Sequence, residues 1–138
     1  MPLGNSADKE WTGWLVDNLG SREQEFQQAL MTALEARKIP KSKITAGTVN
    51  MWWRKDSRCI DVVSDLDGNI MATIHIQEYG SGLMIGRAVD PPAQWNYYKR
   101  MAAGAFTETI DRCIRETILS MAAEEEVRTV TDSRRVMK

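Results

Sequence analysis

The sequence predicts an α+β domain: a four-stranded antiparallel meander with two helices before it and one long helix after it. Three observations carry this. Between Ile44 and Val89 apolar and polar residues alternate with the period of two that a half-buried strand requires. Three turn signals, at Arg54 to Ser57, Leu66 to Gly68 and Gly80-Ser81, divide that stretch into four strands. On both sides of it the apolar residues change to helical spacing.

Taken in order, Met1 to Asn5 reads as a flexible lead. From Asp8, a suitable N-cap, Trp11, Trp14, Leu15, Asn18 and Leu19 recur at helical spacing, and Gly20 suits a left-handed cap. The pattern predicts a short helix whose tryptophans either cover the sheet or anchor an interface. Ser21 and Gln24 form a capping box that opens a second helix. Its inward stripe is Phe26, Leu30, Ala33, Leu34 and Arg37, with Gln27 turned outward, and Pro40 ends it.

The turns set the register of the meander. A three-residue loop, Leu66-Asp67-Gly68, pairs Asp65 with Asn69, Val62 with Ala72, Ile60 with Ile74 and Cys59 with His75. A two-residue loop would set Ile60 against His75 and mix the faces. Gly80-Ser81 suits a type II′ turn and pairs Glu78 with Leu83 and Ile76 with Ile85. Arg54 to Ser57 as a polar four-residue loop pairs Trp53 with Arg58, Met51 with Ile60 and Val49 with Val62. The predicted core face is then Val49, Met51, Trp53, Ile60, Val62, Ile70, Ala72, Ile74, Ile76, Leu83, Ile85 and Val89. The reverse face holds Thr48, Asn50, Trp52, Cys59, Asp61, Val63, Met71, Thr73, His75, Gln77, Tyr79, Met84 and Ala88, with more large apolar groups than a solvated face needs.

Asp90-Pro91-Pro92 ends the meander and starts the long helix. Trp95, Tyr98, Ala102, Ala105, Phe106, Ile110, Cys113, Ile114, Thr117, Ile118 and Met121 make a stripe that carries it to about Val127. At 1.5 Å per residue that helix spans roughly 50 Å, more than a small sheet covers, so its far end is expected to project or meet a second subunit. Thr129 to Lys138 reads as a frayed polar tail, and residues 1–138 as a single domain.

Composition narrows function only slightly. Hydrophobic residues at 43%, charged residues at 27% and a net charge of -1 are ordinary for a globular protein and argue against a general polyanion binder. No uncharged run approaches the roughly 20 residues of a membrane span, and the N-terminal stretch lacks signal-peptide character, so a cytoplasmic protein is expected. One histidine excludes multi-histidine metal sites, and Cys59 and Cys113 lack paired spacing; neither metal nor cofactor is expected.

The leading expectation is a non-catalytic interaction or assembly module. It would bind a protein partner or a second copy through the reverse face, at Trp52, Val63, Met71, Tyr79 and Met84, and through the long helix. A nucleic-acid binder would use Lys41, Lys43, Arg54, Lys55 and Arg58, although Asp56, Asp61, Asp65 and Asp67 share that hairpin. A cysteine enzyme would use a Cys59–His75 dyad, which the register sets directly opposite across two strands. Asp65-x-Asp67-Gly68-Asn69 mimics the start of a calcium loop, but a strand follows and no glutamate closes it.

Ala36-Arg37-Lys38-Ile39-Pro40, Ser57-Arg58 leading a strand, and Tyr79-Gly80-Ser81-Gly82 before an apolar strand give Glu35 to Val89 a further meaning. This stretch, about two fifths of the chain, resembles a domain of uncharacterised bacterial proteins. The resemblance implies a helix followed by a meander and carries no activity. Some of those proteins hold membrane segments elsewhere, and this chain departs from them in lacking one.

Overall fold

The computed structural model describes residues 10–51, 54–65, 70–90 and 97–130. In chain order the elements are β1 (Glu10–Val16), a 3₁₀ turn (Gly20–Arg22), α1 (Glu23–Ala36), β2 (Ser42–Met51), β3 (Arg54–Ser64), β4 (Ile70–Tyr79), β5 (Gly82–Asp90), α2 (Tyr97–Met121), a 3₁₀ turn (Glu124–Glu126) and β6 (Val127–Val130). The strands form one antiparallel sheet of six, ordered β2-β3-β4-β5-β1-β6. The class is α+β, with a wider sheet and fewer long helices than the sequence predicts.

The inner part of the meander keeps its predicted register. Val62 meets Ala72, Ile60 meets Ile74, Cys59 meets His75, Glu78 meets Leu83 and Ile76 meets Ile85. Gly80 holds a φ of +63°, the left-handed backbone a tight turn demands. Residues 66–69, on which the three-residue loop falls, lie outside the described residues.

The first hairpin differs. Val62 meets Ile44 instead of Val49, five positions away, and β3 already begins at Arg54, so Arg54 to Ser57 is strand and not loop. An odd shift turns a strand over. Ile44, Ala46 and Thr48 therefore share the face of Ile60 and Val62, while Val49 goes to the other side, with an irregularity between Val49 and Met51. Two features accommodate a polar Arg54 to Ser57 as strand. Asp56 takes a left-handed φ of +59°, and its backbone N–H donates to Asn50 Oδ1 at 3.1 Å. Trp52 and Trp53, which the sequence reading placed on opposite faces, lie outside the described residues.

The predicted Trp-bearing helix is β1. Thr12, Trp14 and Val16 alternate with Trp11, Gly13 and Leu15, and a glycine between aromatic and β-branched residues weakens a helix more than an inner strand flanked by two partners. Trp14 and Val16 are buried against Ile85 and Leu83. The left-handed residue after the strand is Asn18 at +63°, not Gly20. Gly20 is needed for proximity: its N–H donates to Ser81 O at 3.1 Å, and a Cβ there would stand 2.8 Å from Gly82 O.

The long helix stops at Met121, short of the predicted Val127, and the chain turns back as β6 beside β1. The end of the predicted helix and the first two residues of the predicted tail, Thr129 and Val130, thus form an edge strand at Val127–Val130. Glu126 fixes this return. Its carboxylate accepts from Ala123 N–H at 3.0 Å and from Asn18 Nδ2 at 3.3 Å, and its carbonyl accepts from Asp17 N–H at 3.0 Å. These hydrogen bonds hold the carboxyl below its ordinary range, the backbone donor contributing most.

Both helices pack on the face carrying Ile60, Val62, Ala72, Ile74, Ile76, Leu83 and Ile85. Phe26, Leu30 and Leu34 of α1 and Ile110, Ile114 and Ile118 of α2 are fully buried with them. Each such side chain contributes about 1.5–3 kcal/mol of burial. Gln27 is buried too, contrary to the predicted outward position: its Nε2 donates to Gly47 O at 3.2 Å and Cys59 O at 3.0 Å, tying α1 to β2 and β3. No described helix is long and apolar enough to cross a membrane.

The open face of the sheet as candidate functional site

The opposite face carries no described element across it. Its side chains form four rows running across the strands, each read from the pairing register. Asp90, Met71, Val63 and Lys43 make one, and Trp11, Ala88, Thr73, Asp61 and Thr45 the next. Gly13, Gly86, His75, Cys59 and Gly47 make the third, and Leu15, Met84 and Gln77, then Ser57 and Val49, the fourth. Tyr79 stands beyond it on β4, 61% exposed.

The third row is a trough. Glycines floor it on β1, β2 and β5, and a Cβ added to Gly47 or Gly86 would meet nothing within 4 Å. The flanking rows carry Trp11 at 38% exposure on one side and half-buried Leu15 and Met84 on the other, and beyond Trp11's row stand Met71 at 36% and half-buried Val63. Their polar members are largely bonded within the sheet: Thr73 Oγ1 donates to Asp61 Oδ1 at 3.0 Å, and Ser57 Oγ lies 3.4 Å from Gln77 Oε1. The face is thus apolar at its rim and glycine-lined at its centre, with Thr73, Asp61, Ser57 and Gln77 bonded among themselves.

Of the sequence-predicted partner residues, Val63, Met71, Tyr79 and Met84 come together on this face, and Trp52 lies outside the described residues. Trp11, which the sequence leaves between sheet cover and interface anchor on a helix, and Leu15, which it does not single out, join them because β1 is a strand. The alternation of Trp11, Gly13 and Leu15 with Thr12, Trp14 and Val16 was the available signal.

The basic residues are dispersed. Lys43 is exposed on the open face and Lys41 on the turn before β2, whereas Arg58 points to the helix side, 3.7 Å from Glu23 and 3.3 Å from Gln27 Oε1. Arg54 and Lys55 lie in β3, their side chains outside the described residues.

Cys59 and His75 stand opposite each other at the centre of the trough. Burial, and then the negative charge of Asp61, push the Cys59 thiol above its ordinary range. An activated nucleophile needs the reverse shift. Burial likewise raises Cys113, whose Sγ donates to Ala33 O at 3.7 Å. A raised folded-state pKa means that the unfolded chain loses these protons first. Stability should therefore be flat below the ordinary thiol range, about pH 8.5, and fall as pH rises through it. Denaturant titrations from about pH 7 to about pH 10 should show a shallower alkaline decline for the Cys59→Ala, Cys113→Ala double variant than for the unaltered chain. Equal slopes would show that the thiols do not carry the effect.

Among the described residues no group of three or more His, Cys, Asp or Glu could hold a metal ion. Two clefts flank α2. One of about 170 Å³ is lined mainly by Ile39, Pro40, Ile70, Ala102 and Phe106, and one of about 400 Å³ lies beside Trp14, Arg112, Arg115 and Leu119. Neither brings together a nucleophile and a base. No protein family matches the chain, and no curated protein sequence matches it.

Proposed function

We propose that this chain is a non-catalytic assembly module that binds a second copy of itself through the open face of the sheet. The observation that carries the reading is the cluster of Trp11, Leu15, Val63, Met71, Tyr79 and Met84 on a face with no covering layer among the described residues. Six strands at about 4.8 Å spacing and 3.3 Å per residue give a face of roughly 700 Å². A standard interface buries about 800 Å² per partner, so the face alone is close to sufficient.

A second copy suits it better than a strongly charged partner. The described charges on the face are mixed in sign, Lys43 against Asp61 and Asp90, with Arg128 already paired to Asp17, so no single-sign field opposes a second copy. Sheets packed face to face interdigitate their side chains at about 10 Å separation, and the glycine trough offers space for the partner's rim residues. The long helix takes little part in this reading. Its stripe from Phe106 to Ile118 is spent on the core, and its exposed apolar groups are Tyr97, Tyr98 and Met101 near one end, with Leu119 at the other.

Met71→Glu with Tyr79→Glu places two charges on exposed positions of the face. Light scattering behind a sizing column should show the assembled mass falling by half while the thermal unfolding midpoint holds. An unchanged mass would overturn the reading.

A further inference from the structure

The two edges of the sheet are built differently. β6 is four residues long, and its Arg128 pairs with Asp17 at 3.0 Å, the short and charged form by which natural sheets blunt an edge. β2 is ten residues long, and Ile44 to Asn50 carry no charge and no proline. Its outer side pairs with no described strand, and Thr45, Ala46, Gly47 and Thr48 are all exposed. Gln27 clamps the strand to β3 from the helix side and so holds this edge in place. The row of backbone donors and acceptors it presents is a template for another strand.

We infer that β2 is a second self-association surface, pairing antiparallel with β2 of another copy so that the sheet continues across a two-fold axis. Charge favours a second copy as occupant. β2 holds a single charge, Lys43 near one end, which antiparallel pairing keeps away from its own symmetry mate. α1 is joined to β2 by a short turn and crosses it in the reverse direction, so the two α1 helices would also run antiparallel.

This surface is independent of the open face. The edge two-fold stands perpendicular to the sheet, and the face two-fold lies in the plane between two sheets. Where the axes cross, the two interfaces close a tetramer with D2 symmetry. The unaltered chain, at 15.6 kDa per copy, should therefore approach four times that mass at high concentration.

The test uses Ala46→Lys with Thr48→Lys, exposed positions whose side chains point to the helix side and leave the open face untouched. It is read by light scattering beside the Met71→Glu, Tyr79→Glu pair. Like charges facing each other across the edge should weaken that association about tenfold or more, and halve the mass. Combining all four substitutions should give monomers. Single cysteines at Thr45, Ala46, Gly47 or Thr48 provide a second readout, since a residue near the two-fold lies opposite its own copy. One of them should form an intermolecular disulfide in the Met71→Glu, Tyr79→Glu background. An unchanged mass with the edge lysines and no disulfide at any of the four positions would overturn the inference and leave the face reading standing. Loss of mass only with the edge lysines would support the inference and overturn the face reading. A thiol at position 46 that is protected in a monomeric protein would show the edge covered by the chain's own residues, and would overturn it.

Discussion

Phe26→Ala should destabilise the fold by about 3–5 kcal/mol, a large share of the 5–15 kcal/mol expected for a domain of this size. Phe26 is fully buried in the first turns of α1, in the same cluster as Ile60, Ile74, Ile76 and Leu30. Truncation removes its transfer free energy and leaves a cavity walled by strands and a second helix, which can close only in part. Denaturant unfolding checks this: the midpoint should drop with little change in slope. A loss below about 1 kcal/mol would mean that α1 is not packed as described.

The second large effect belongs to Arg87 and Asp111. Arg87 is 4% exposed on the helix side of β5, and its Nε and Nη2 reach the two carboxylate oxygens of Asp111 on α2 at 2.7 and 2.6 Å. A planar guanidinium matched to a carboxylate fixes the position of the helix over the sheet. Asp111→Ala keeps the cation buried and removes this bidentate partner, for an expected loss of about 3 kcal/mol. Arg87→Met exchanges the buried charge for an apolar stem of similar length and should cost less, because Asp111 is 29% exposed and can rehydrate. The order of the two losses is the test. Should Arg87→Met prove the more damaging, the carboxylate left at Asp111 is not relieved by solvent as its exposure implies.

Much of the fold was legible because particular residues left no alternative. Gly80 needs a left-handed backbone, and only one loop length keeps Ile60 and Val62 on the side of Ile74 and Ala72, so the register of β3 from Arg58 on with β4 and β5 follows from the sequence alone. β2 was misplaced because Arg54-Lys55-Asp56-Ser57 has turn composition, while the tertiary preference for Ile44 and Ala46 over Val62 and Ile60 decides the register. The segment from Glu10 to Val16 satisfies a helical and an extended period together, and only the free edge of β5 settles the choice. β6 is illegible for a similar reason: Val-Arg-Thr-Val is too short to set a period against the helix before it, and becomes a strand because β1 offers it a partner.

The candidate site was legible in part on the same terms. Val63, Met71, Tyr79 and Met84 follow from the strands whose register was right, whereas Trp11 and Leu15 depend on β1. Gln27 reads as a solvated residue in the sequence, since nothing local shows that two backbone carbonyls accept from it. The same limit applies to the Cys59–His75 pair. Register placed it correctly, but the raised thiol comes from burial and from Asp61, both properties of the assembled sheet.

The most direct test of the open face as an assembly surface is hydroxyl-radical footprinting across a range of protein concentration, read residue by residue. Oxidation of Trp11, Met71, Tyr79 and Met84 should slow as concentration rises, while Tyr97, Tyr98 and Met101 at the exposed start of α2 keep a constant rate. Protection confined to α2, or oxidation of the four face residues that does not change with concentration, would contradict the account.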